Sequence, residues 1–196
     1  MKIKLIFETN TIAIEEGIPV DDIIETVNHF RAIDFCIDMA EEPLNEDIIK
    51  ELHRILKQST KDSSFAWSAV GDYKKRANVV GGHETAKPEE VAPHMKVLLS
   101  EYESKTAVTI NDIIQFHYTF GSIHPFQDGN GRVGRLIALK ECLWFGLIPF
   151  IIEDNKKMYY YRGLSECERE KGYLTDTCLD GQDTFRKLMS LFDIQS

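Results

Sequence analysis

Apolar positions recur at helical spacing over most of the chain. Ile23, Ile24, Val27, Phe30, Ile33, Ile37 and Ala40 share one face of a helix over 22–40. Asn45 is placed to cap a second helix over 46–57, whose apolar face is Ile48, Ile49, Leu52, Ile55 and Leu56; His53, inside it, reads as structural. Pro88 suits the first turn of a third helix, with Glu89 and Glu90 favouring its N-terminus, running to about residue 102. Thr109-x-x-Asp112 resembles a capping box with Asp in place of Glu, and opens a helix carrying Ile113, Ile114, Phe116, His117 and Phe120. Leu136, Ile137, Leu139, Leu143 and Trp144 predict a strongly apolar helix over 133–145, ended by Gly146. A further helix holds Tyr159, Tyr160 and Tyr161, and Asp180-x-x-Asp183 is expected to open a last one ending near Phe192.

The stretch 59–87 breaks this periodicity. Trp67, Gly71, Tyr73, Gly81 and Gly82 interrupt any helical face, and Asn78-Val79-Val80-Gly81-Gly82-His83 reads as a short strand entering a turn.

Between the two most apolar helices lies His124-Pro125-Phe126-Gln127-Asp128-Gly129-Asn130-Gly131-Arg132-Val133-Gly134-Arg135. Glycines around an asparagine permit positive φ, so successive amide N–H groups can line a concavity that holds an anion. The next helix starts here, and its free N–H groups and dipole favour negative charge at the same place. Arg132 and Arg135 are three apart and share a helical face, and guanidinium forks suit phosphate oxygens. Asp128 offers a hard oxygen to Mg²⁺, a cation that also takes substrate phosphates. His124 is a candidate general base, and Pro125 restricts the backbone after it. Each piece alone has an ordinary structural explanation. Together they describe a polyphosphate site with a proton acceptor beside it.

His-Pro-Phe-x-Asp-Gly-Asn-Gly-Arg-x-x-Arg resembles the complete signature of the Fic/DOC family, with no departure inside it. The resemblance implies an all-α Fic fold, a helical bundle with a short β-hairpin flap, filling 1–196 as a single domain. It implies transfer of AMP from ATP, with Mg²⁺, to a hydroxyl of a target protein. Position by position, His124 corresponds to the base and Asp128 to the metal ligand. The backbone of Gly129, Asn130 and Gly131 corresponds to the phosphate cradle. Arg132 corresponds to a phosphate contact and Arg135 to the partner of the γ-phosphate. Tyr160 and Tyr161 match a tyrosine pair near the nucleotide base. The flap falls at about 78–87, with Asn78, Val79, Val80, Gly81, Gly82 and His83 pairing by backbone with the target.

Within the same resemblance, Thr11-Ile12-Ala13-Ile14-Glu15 looks like the family's inhibitory helix, placed in a segment over 9–19. Glu15 would pair with Arg135 in the place of the γ-phosphate, since a carboxylate and a phosphate compete for one guanidinium. Glu16 stands where the family has Gly, which follows at Gly17.

The net charge of −9 argues against nucleic acid or an anionic membrane as the main partner, and makes the basic motif a local exception. Cys36, Cys142, Cys167 and Cys178 form no Cys-x-x-Cys pair, so a reduced, cytoplasmic protein is expected. No run approaches a membrane span or a signal peptide. A monomer and a homodimer are both compatible with this surface. The expected activity is protein adenylylation held back by Glu15. The alternatives are removal of AMP from a modified protein, another donor such as phosphocholine, or nucleotide binding without transfer.

Overall fold

The computed structural model describes residues 19–191. Seven α-helices stand among them: α1 (Val20–Asp38), α2 (Glu46–Lys57), α3 (Pro88–Glu103), α4 (Ile110–Ile123), α5 (Asn130–Trp144), α6 (Lys157–Glu166) and α7 (Gly172–Leu191). The one sheet among these residues is a hairpin, β1 (Val79–Val80) and β2 (His83–Glu84), antiparallel with Val79 opposite Glu84 and Val80 opposite His83. The all-α expectation with a short hairpin holds. Thr11 and Glu15 lie outside the described residues.

The expected caps form. Asn45 accepts from the Ile48 N–H at 2.9 Å. Thr109 and Asp112 exchange hydrogen bonds across the first turn of α4. Gly146 lies just beyond α5 with φ +63°, the left-handed position that ends a helix.

Helix α5 starts at Asn130, within the glycine loop as expected, because Gly129 at φ +80° turns the chain directly into it. One expectation needs correction. Asp180 and Asp183 do not open the last helix; they lie in the middle of α7, which begins at Gly172. The reason is tertiary. Leu174, Cys178, Gly181, Gln182, Phe185 and Leu188 form one buried face, and that face needs the earlier start. Asp180 and Asp183 sit outside it, paired with Lys156 and Arg186.

Helix α5 packs on α1, α2 and α4, with α3 against α4 and α6 against α7. The core around it includes Ile49, Leu52, Leu56, Met95, Phe120, Val133 and Leu136. Phe126 of the motif belongs to this core, fully buried and stacked on His53 with ring centroids 4.0 Å apart. Gly134 lets α5 approach α4 closely: a Cβ there would lie 2.8 Å from His117 Nδ1. All four cysteines are buried and free.

Candidate active site

The motif forms a tight loop between α4 and α5. His124 terminates α4 in the left-handed region, φ 53° and ψ 62°, a conformation histidine adopts more readily than most side chains. Its backbone N–H still closes the helix on Phe120 O at 3.0 Å. The turn is sealed by Asn130, whose Oδ1 accepts from Phe126 N at 2.8 Å and whose Nδ2 donates to Phe126 O at 2.8 Å. Asn130 is buried, and its amide holds the loop shut.

The histidine geometry selects a tautomer. His124 Nδ1 lies 3.3 Å from Gly121 O, and a carbonyl only accepts. Nδ1 therefore carries the proton, and the Nε2 lone pair is left to take one. Burial lowers the His124 pKa, the Gly121 carbonyl opposes this, and the charge of Lys74 lowers it further. The ring is neutral at neutral pH.

An ionic ring lies beside the loop. Lys57, at the end of α2, donates to Glu25 at 2.5 Å and to Asp128 Oδ2 at 2.7 Å. Arg132 donates to Glu25 and, at 3.3 Å, to the same Asp128 oxygen. Burial alone would raise the Asp128 pKa, but the Lys57 hydrogen bond and charge, then Arg132 and the Gly129 N–H, hold it below the ordinary range. The Lys57 side chain is only 4% exposed; burial disfavours its charge, yet its two carboxylate partners raise its pKa.

Arg135 lies one turn further along α5. It lines a small cavity with His29, Ile33, Leu139, Phe150 and Phe185, and its charge acts on His29, His117 and Tyr160. Among the described residues no carboxylate pairs with it. The Tyr160 hydroxyl is buried against His117 Nε2 at 2.5 Å and also reaches Arg135, whereas Tyr161 is 60% exposed. The structure thus brings His124, Asp128, Gly129, Asn130, Gly131 and Arg132 to one end of α5, with Arg135 one turn on. Tyr160 reaches that turn through its hydroxyl, and the hairpin residues Asn78, Val79, Val80, Gly81 and Gly82 approach the loop through Asn78, which donates to Phe126 O at 3.3 Å.

A model of the Fic/DOC family matches residues 43–142, more than half of the chain and the whole of the motif. The chain belongs to the Fic/DOC family. Among curated relatives of this Fic chain, the protein adenylyltransferase Fic of Drosophila melanogaster is 33% identical over 136 residues, 65% of this chain and 28% of that protein. That of Drosophila mojavensis is 28% identical over 136 residues, covering 65% and 27%. The chain therefore spans about a quarter of the length of the curated relatives it matches. Among solved structures, a Fic domain containing signaling protein from Bacteroides thetaiotaomicron superposes with a TM-score of 0.69 at 27% identity, covering 90% of this chain and 70% of that one. Fic-1 from C. elegans, 18% identical, shares the fold with a TM-score of 0.74 over 98% of this chain and 58% of its own.

Sequence reasoning missed Glu25, Lys57 and Lys74. Lys57 left a trace: with Ile49 and His53 it forms an i, i+4, i+8 row on the buried face of α2, where a lysine is out of place unless paired. Glu25 left none, because its partners are distant in sequence, and Lys74 left none, because it lies in the aperiodic stretch, where no pattern marks a position as buried.

Asp128 is the one motif carboxylate, and no cluster of three or more His, Cys, Asp or Glu that could hold a metal exists among the described residues. This donor set fits Mg²⁺, which needs few protein ligands when waters and substrate phosphates complete its shell.

Proposed function

We propose that this chain transfers AMP from ATP to a hydroxyl of a target protein. The observation that carries the reading is His124, with Nδ1 committed to Gly121 O and Nε2 left as a base. It stands at the loop that leads into the N-terminus of α5. The target hydroxyl oxygen attacks the α-phosphorus, forming the new P–O bond, and its proton passes to His124 Nε2. The bond from the α-phosphorus to the β-phosphate oxygen breaks, and pyrophosphate leaves with that electron pair. The free N–H groups at the start of α5 stabilise charge on the phosphates, with Arg132 and Arg135 as the neighbouring cations. Asp128 would hold Mg²⁺, which supplies Lewis-acid neutralisation of the phosphate charge. Val79 and Val80 are exposed, so a target segment can add to the hairpin as an edge strand. Tyr160 and Tyr161 would stand toward the nucleotide, Tyr160 through the Arg135 side and Tyr161 from the surface.

We infer further that Glu15 restrains this activity by pairing with Arg135 beside Thr11. In support, Arg132 carries two carboxylates while Arg135 carries none among the described residues. Intact mass after incubation with ATP and Mg²⁺ tests both readings. An AMP adduct that grows in Glu15→Gly and disappears on adding His124→Ala supports them. An equal adduct in the unaltered chain removes Glu15 as a restraint. ATP binding without any adduct, in every variant, removes the transferase reading.

A further inference from the structure

Lys74 is buried, 3% exposed, and the oxygens that hold its ammonium, Asn78 Oδ1 and Thr85 Oγ1, are neutral. Burial pushes its pKa down to about 8. A buried cation with only neutral partners is costly. Its contacts tie two functional segments together. The ammonium donates to Asn78 Oδ1 at 2.8 Å and to Thr85 Oγ1 at 2.7 Å. Asn78 immediately precedes β1 and Thr85 immediately follows β2, so one ammonium clasps both legs of the hairpin. The Thr85 hydroxyl and N–H close the clasp on Asn78 O, at 3.0 Å and 3.4 Å.

The other end of Lys74 holds the motif loop. Its backbone N–H donates to Pro125 O at 2.8 Å, one residue past His124. Asn78 Nδ2 donates to Phe126 O, the carbonyl that also accepts from Asn130. The hairpin base and the seal of the His124 loop therefore share an acceptor.

We propose that Lys74 is a positioning residue for the target protein, clasping the hairpin at a fixed place relative to His124 so that a segment added to its edge presents a hydroxyl to Nε2. This rests on the transferase reading above. Strand addition fixes register through backbone groups, so the height of the hairpin decides where the acceptor oxygen falls. Misplacement by ~1 Å in such a geometry costs about 100-fold in rate. Water, as an alternative acceptor, needs no hairpin.

The test uses Lys74→Met and Lys74→Arg in the full chain carrying Glu15→Gly. Amide hydrogen exchange is read at 79–85 and in α5. ATP and Mg²⁺ are the probe for self-modification, read by intact mass, and for AMP released to water. In Lys74→Met, exchange at 79–85 rises about tenfold or more while α5 keeps its protection. Self-modification falls at least about tenfold while AMP release stays within about threefold, and Lys74→Arg regains most of the loss. Unchanged exchange at 79–85 overturns the proposal, as does an equal loss of transfer to protein and to water. If the parent chain makes no adduct, the transferase reading fails, and the exchange result still decides whether Lys74 clasps the hairpin.

Discussion

Lys57 and Asp128, 71 residues apart, are joined by a 2.7 Å hydrogen bond from an ammonium that is 4% exposed to a carboxylate that is 59% exposed. The lysine holds the expected metal ligand from its buried side, and Glu25 completes the ring to Arg132. Replacing Lys57 with Met leaves Glu25 and Asp128 with one cation between them. Breaking a fully buried pair costs about 3–5 kcal/mol; with Asp128 largely in water we expect about 1–3 kcal/mol. Urea denaturation measures it. Glu25→Gln should recover part of the loss, and a double-mutant cycle should give a coupling energy of at least ~0.5 kcal/mol.

Glu25 also occupies the guanidinium of Arg132. A phosphate at that arginine has to share or displace the carboxylate. Glu25→Gln alone should therefore tighten ATP binding, by about threefold to tenfold, the scale of one charge-assisted contact in water. Calorimetric titration with ATP and Mg²⁺ checks this; weaker binding would mean that Glu25 serves to orient Arg132.

Three buried histidines make stability pH-dependent. His29, His53 and His117 have pKa values lowered to about 4, in each case chiefly by burial, from an ordinary value of 6.5. They are neutral in the fold and charge more readily once unfolded, so the unfolded chain binds more protons between these values. Their contribution is complete above 6.5 and is lost as pH falls toward 4. The melting temperature should decline across that window. His53→Gln should flatten the decline, whatever it does to the melting temperature at neutral pH.

The transfer rate should have its own acid limb. His124 must be neutral to accept a proton, and its pKa lies below the usual histidine value. The limb in kcat should fall below pH 6.5. His124→Ala should reduce transfer by about 10²–10⁴-fold while ATP binding persists.

Gly134→Ala probes the seam between α4 and α5. The added methyl would meet His117 Nδ1 at 2.8 Å and Cε1 at 2.9 Å, and that ring is held by Tyr160. Overpacking should cost about 1–3 kcal/mol. Because Arg135 follows on the same helix, ATP affinity should fall as well, and thermal melts with and without ATP separate the two effects.

The chain's own pattern determined its helices, its caps at Asn45 and Thr109, the hairpin at Val79 to Glu84, and the motif from His124 to Arg135. Each of these is written in residues that are neighbours in sequence, as 3.6-residue periodicity, turn chemistry and a contiguous loop. Tertiary structure alone decided the start of α7, where a buried face reaching back to Leu174 outweighed the capping signal at Asp180. It also decided the company the motif keeps. Glu25 meets Arg132 across 107 residues, Lys57 meets Asp128 across 71, and Asn78 meets Phe126 across 48. A buried charge takes its partner from whichever chain segment packing brings within about 3 Å, and no local pattern records which segment that is.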